Sequence, residues 1–315
     1  MRPVRRICIS RGVNKAWLGA ACALVACTKA DFDAEVSTGA KVSEAHVMSA
    51  RPVTVAPPGV LERRVLDLAD CALEGPQITS MCPAMQTLSR ELAQSPKTLS
   101  PAVAERLLAH SSPAVRIEAA TLSANRTAVA DAAHRERDPL VRQALVKLLA
   151  GDPRVASFAT DPSIAVRREV VIALASHATA ANTVALQHVI ETDAEASVRA
   201  DACRRAGISD SLLPLFERTT DVRSTDPELR DACMEGLSAM VLESEGAYRL
   251  FLRRVVEGVR PWQAMSAFCP YKASKRPAWF SVDEVRTVLA SVIDDPATPP
   301  MAAAAARESL DTLTR

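Results

Sequence analysis

The chain has 315 residues, 48% of them hydrophobic and 24% charged, with a formal net charge of +1 at pH 7. Only 3% are aromatic, so a core must be built from Ala, Leu and Val, which suits close-packed helices and not a β-sandwich. Residues 1–26 hold five cations and no acid, leaving −4 on the remainder (+1 − 5), which excludes a general attraction for nucleic acid or anionic lipid.

The chain opens with Arg2, Arg5, Arg6, Arg11 and Lys15 and continues into an apolar run from Ala16 to Ala26. That run is too short to span a bilayer and fits the h-region of an export signal. Leu24-Val25-Ala26-Cys27 resembles the lipobox of bacterial lipoproteins. The resemblance implies cleavage before Cys27 and attachment of a diacylglyceryl group to its sulfur, usually with a further N-acyl chain, palmitate among the acyl groups. It also implies a place in the cell envelope, facing the periplasm or the exterior. Thr28 in place of Asp after Cys27 favours the outer membrane over the inner under the enterobacterial sorting rule. An ordinary cleaved signal and a hydrophobic start to a cytosolic protein are the competing readings. Residues 27–59 lack periodicity and end in Pro57-Pro58-Gly59. Such a flexible tether has a root-mean-square span of about 30 Å.

Val60 to Ala69 is amphipathic, and Pro83 to Leu92 starts a second helix. Between them lie Cys71 and Cys82, the best disulfide candidates in an oxidising compartment. Two buried thiols are the alternative. Cys203 and Cys233 lie on apolar helix stripes, where cysteine also serves as a small hydrophobe, so their pairing and that of Cys269 stay open. With Cys27 acylated, the five remaining cysteines are an odd number.

From Ser112 onward one phrase recurs: a turn, a helix-starting residue, an aliphatic residue, then arginine. The arginines are Arg116, Arg142, Arg167, Arg199 and Arg230, in steps of 26, 25, 32 and 31 residues. Apolar residues follow at helical spacing, as in Val166, Val170, Val171 and Leu174. Asp138, Asp161 and Asp226 each precede a proline, placing an acceptor at the N-cap and a fixed φ at N1. Second helices fit at Thr183 to Ile190 and from Asp210, whereas the first two steps leave little room for one. Asp-Pro-x-Val-Arg followed by Ala/Leu at helical spacing resembles HEAT repeats of the short bacterial type, over roughly residues 99–240. The resemblance implies an all-α, right-handed α-solenoid of helix pairs. The repeated arginine then reads either as a structural ladder between units or as a lining for acidic ligands, and its recurrence in every unit favours the ladder.

Seven aromatic residues fall in residues 244–280. Tyr248, Phe251, Trp262, Phe268, Tyr271, Trp279 and Phe280 share this irregular stretch with Arg253, Arg254, Lys272, Lys275 and Arg276. Arg253, Arg254, Trp262, Tyr271, Trp279 and Phe280 are candidate partner-binding residues. The competing reading, that the aromatics close the core where the repeat is interrupted, is the stronger. Ser281 to Ile293 and Pro300 to Leu313 supply two closing helices.

The segments are thus a leader (1–26), a tether (27–59), capping helices (60–98), HEAT-like repeats (99–243) and a helical extension (244–315). No phosphate loop, nucleophile elbow or HExxH is present, and the five histidines are scattered. The expectation is a lipid-anchored scaffold for another protein, without enzymatic activity, cofactor, metal or nucleic acid. An enzyme or enzyme-accessory factor with a site at residues 244–280 is the alternative.

Overall fold

The computed structural model describes residues 59–177, 179–207, 209–268 and 277–314. The chain is mostly α-helical. Helix α1 (Val60–Leu66) leads into a two-residue hairpin, β1 (Leu73–Glu74) against β2 (Gln77–Ile78), turned by Gly75 at φ 62°. Then come α2 (Pro83–Gln94), α3 (Pro101–Leu108), α4 (Pro113–Thr121), α5 (Arg126–Arg135) and α6 (Pro139–Leu148). A 3₁₀ helix (Pro153–Phe158) precedes α7 (Ile164–Ala175), α8 (Ala180–Thr192) and α9 (Ala196–Arg205). A short 3₁₀ turn (Asp210–Leu212) runs into α10 (Leu213–Thr219). The series ends with α11 (Pro227–Ser238), α12 (Glu245–Val256), α13 (Trp262–Met265), α14 (Val282–Asp294) and α15 (Pro300–Thr314).

Local chemistry explains most starts. Proline stands in the first turn of α2, α3, α4, α6 and α11, where its missing N–H costs no helical bond. Side chains of Asn125, Asp138, Thr179, Asp226, Ser244 and Ser281 accept backbone N–H bonds as caps. Each is worth about 1 kcal/mol. Asp161 departs from the expectation, since the cap position of α7 is Ser163. The Asp161 carboxylate is occupied elsewhere, by Arg142 and by the N–H of Ser163. The short first step also holds more than expected, a full ten-residue α5. The second step is the clipped one, with six residues of 3₁₀ helix.

Helices that carry the arginine phrase pack on one another in succession: α4 on α6, α6 on α7, α7 on α9, α9 on α11. The succession continues through α11 on α13 and α13 on α15. The intervening helices follow a parallel course: α3 on α5, the 3₁₀ helix 153–158 on α8, α10 on α12, α12 on α14. Between α5 and that 3₁₀ helix the His134 ring stacks 4.2 Å from Phe158, and its Nε2 shares a hydrogen bond with Ser157 Oγ at 3.2 Å. One contiguous apolar cluster of Val, Leu and Ala fills the space between the two courses. Val141, Leu145, Val166, Val170, Val171, Val198, Ala202 and Leu237 are fully buried in it. Alanine allows close helix approach, and at α9 and α11 glycine takes this further. A Cβ on Gly236 would lie 2.0 Å from the Cys203 carbonyl oxygen.

Candidate functional site

Four of the five repeated arginines form a ladder. Arg116 donates to Glu136 through Nε (2.7 Å) and Nη2 (3.2 Å), and Arg142 grips Asp161 in the same fork at 2.6 and 3.0 Å. Arg167 holds Asp193 at 2.8 and 3.1 Å, and Arg199 reaches Asp226 at 3.2 Å. The remaining Nη1 of each arginine donates to the carbonyl six residues earlier in its own unit, that of His110, Glu136, Asp161 or Asp193. One guanidinium thus fixes its own turn and clamps the turn of the next unit. The planar fork is what makes the double grip possible, and lysine cannot reproduce it.

The rungs are shielded from water. Side-chain exposure is 13% for Arg167 and 2% for Asp193. Hydrogen bonding to Asp161 and Asp193 pushes the Arg142 and Arg167 pKa values up from the ordinary arginine range. Asp226 sits below its usual range, first because the Leu229 N–H bonds its carboxylate. Arg230 breaks the series, pairing with its neighbour Asp231 at 3.0 Å. Arg260, on the loop before α13, then reaches across to Asp295 and to Thr298 Oγ1. These contacts assign the arginines to the structural role rather than to a lining for ligands.

Sequence reasoning names Asp161 and Asp226 only as caps and misses Glu136 and Asp193, although a signal for the rung acids exists. Glu136, Asp161 and Asp193 each stand six positions before the arginine of their own unit, Arg142, Arg167 and Arg199. The Asp-Pro pairs drew attention to caps and hid this second register.

Disulfides join Cys71 to Cys82 and Cys203 to Cys233, with Cα atoms 5.7 and 4.7 Å apart. The first ties the ends of the hairpin segment together. The second joins α9 to α11 beside the Gly236 contact, with both residues fully buried. Their separation of 30 residues matches the local repeat step of 31, so equivalent stripes carried both. Cys27 and Cys269 lie outside the described residues.

The aromatic stretch divides. Tyr248 is fully buried, with Trp279 and Phe280 at 5.4 and 5.5 Å. Phe268 packs edge-on to Phe251 and Phe280 at 5.8 and 5.9 Å. The Tyr248 hydroxyl donates to Glu284 (2.9 Å), and burial pushes its pKa up to about 12. Phe280 therefore belongs to the interior, not to a partner-binding surface. Arg254 does too, for it is 6% exposed and spends its donors on the Glu217 carbonyl, Thr220 and Glu257. Trp262 and Trp279 are half-buried against the same core. Arg253 is exposed and donates to Glu217 at 2.7 Å. Tyr271 lies outside the described residues. The candidate set thus does not converge on one surface.

Surface clefts among the described residues are open, and an apolar one beside Val184 and His188 reaches about 630 Å³. One of about 280 Å³ includes Asp161, Arg167, His188 and Asp193. Another, of about 390 Å³, includes Glu105, His110, Arg116, Arg135, Glu136 and Arg137. Among the described residues, no three His, Cys, Asp or Glu side chains group as metal ligands. No described helix is long and apolar enough to cross a membrane. Glu118 is a buried carboxyl with no side-chain partner among the described residues, and burial alone raises its pKa to about 7. No protein-family model, no curated protein and no solved structure matches the chain.

Proposed function

We propose that the chain is an α-solenoid of HEAT-like helix pairs, held at the bacterial cell envelope by lipid on Cys27, and that it serves as a scaffold for another protein. The ladder is the observation that carries this reading. A guanidinium that clamps the next unit at each step makes a stack of units self-consistent, and stacked helix pairs present an extended surface for partners. Two disulfides among the described residues support an oxidising compartment, and therefore export. The basic n-region, the apolar run and Leu24-Val25-Ala26-Cys27 support the anchor, and Thr28 favours the outer membrane. Two or three acyl chains make a stable attachment, where one chain gives only marginal binding. The tether would let the body work at a distance from the lipid.

The test is a pull-down of the tagged full chain from detergent extracts, with co-purifying proteins quantified by mass spectrometry. One protein recovered in stoichiometric amount supports the scaffold. Recovery of none above an untagged control argues against it.

A further inference from the structure

The residue six positions before each ladder arginine does one job, and in the first unit that residue is His110 instead of an acid. Glu136, Asp161 and Asp193 accept the backbone N–H two residues on, at 2.9, 2.8 and 2.8 Å. His110 does the same for Ser112, through Nδ1 at 3.1 Å. A ring nitrogen that accepts an N–H carries no proton, so hydrogen-bond logic puts the proton of the neutral ring on Nε2. Nε2–H is then a donor without a partner among the described residues.

His110 lines the cleft of about 390 Å³ with Arg116, Arg135 and Arg137. Arg116 and Glu136 satisfy each other. Arg135 and Arg137 are exposed, and neither guanidinium has a partner among the described residues. Glu105 is the one remaining acid on the cleft wall. Two residues with spare guanidiniums and one with a spare imidazole N–H therefore line the same cleft as Glu105. The cleft around Arg167 gives an internal comparison. Its one arginine is spent on Asp193 and the Asp161 carbonyl.

We propose that the His110–Arg135–Arg137 cleft binds carboxylate side chains of an acidic segment in the partner protein. This deepens the scaffold reading and rests on it. The ladder arginines, Arg116 among them, are each satisfied by an Asp or Glu held on the next turn, whereas Arg135 and Arg137 have no such carboxylate among the described residues. Guanidinium forks favour planar carboxylates. A net charge of −4 after residue 26 opposes acids elsewhere on the surface, so the attraction must be local.

The probe is a fluorescein-labelled hexaglutamate peptide, titrated against the full chain in neutral detergent at low salt and read by anisotropy. The wild type should bind saturably. Arg135→Ala/Arg137→Ala should weaken binding by about tenfold, at a few-fold per charged contact. Glu105→Gln should tighten it, and Arg205→Ala/Arg307→Ala, at exposed cations away from the cleft, should leave it unchanged. Circular dichroism matching the wild type shows that each variant folds. Equal binding by the cleft variant, equal weakening by the control pair, or capture of phosphatidylglycerol vesicles in place of the peptide would overturn the proposal. If the peptide behaves as described but the pull-down yields no partner, the cleft chemistry stands and the scaffold reading fails. If a partner is recovered equally well by the Arg135→Ala/Arg137→Ala chain, the cleft proposal fails alone.

Discussion

Arg167→Ala removes the most buried rung. The change deletes three charge-assisted bonds, two to Asp193 and one to the Asp161 carbonyl at 2.8 Å. It also strands Asp193, 2% exposed, with the Glu195 N–H as its remaining side-chain partner. Breaking one side of a buried pair costs about 3–5 kcal/mol, because the surviving charge is left unpaired. Water entering the space left by the long side chain returns part of that, so the expected loss is about 3 kcal/mol. Position along the ladder supplies an ordering. Arg199 and Asp226 are 23% and 36% exposed, so Arg199→Ala should cost about 1–2 kcal/mol. Arg218 and Glu191 form a surface pair outside the ladder, and Arg218→Ala should cost under about 1 kcal/mol. Urea unfolding of the three variants, followed by circular dichroism, measures the series. A loss at Arg167 no larger than that at Arg218 would refute the ladder as a source of stability. The Arg167→Ala/Asp193→Ala double variant should recover part of the loss, since it removes the stranded charge.

Three further outcomes follow from the packing. Cys203→Ala/Cys233→Ala should lower stability by about 3–4 kcal/mol through a loop of roughly thirty residues, and reductant should shift the urea midpoint of that variant less than it shifts the wild type. Gly236→Ala should cost about 2 kcal/mol or more, because its Cβ would stand 2.0 Å from the Cys203 carbonyl oxygen; an unchanged melting temperature would show that α9 and α11 are farther apart. Glu118 has its folded pKa raised from 4.5 to about 7, so between those values the folded state holds the extra proton. Stability from this group is full below about pH 4.5 and is lost as pH rises through 7, by about 3 kcal/mol. Glu118→Gln should flatten that slope, and an identical pH profile in the variant would contradict it.

Helix starts were legible because they rest on neighbours in sequence: proline at N1, an acceptor before it, apolar residues at helical spacing. Asp138 and Asp226 behave as that local rule says. Asp161 does not, because its carboxylate serves Arg142 nineteen residues away, a link that no window of one helix contains. The α5 helix was underestimated for a related reason. Its apolar face is Ala128, Val129, Ala130, Ala132 and Ala133, a weak stripe whose burial depends on α3 and α6. In the aromatic stretch, composition could not separate a surface hot spot from a core. The answer came from α14, which brings Glu284 to the Tyr248 hydroxyl across 36 residues. The cleft at His110 was equally hidden, since an imidazole standing in for a carboxylate shows only when the Ser112 bond is seen.

Placement of the scaffold at the envelope depends on the anchor, and metabolic palmitate labelling of the wild type beside Cys27→Ala addresses it most directly. The account predicts label on the mature wild-type chain in the membrane fraction and its loss in the variant. An unlabelled wild-type chain, or label that persists without Cys27, would contradict it.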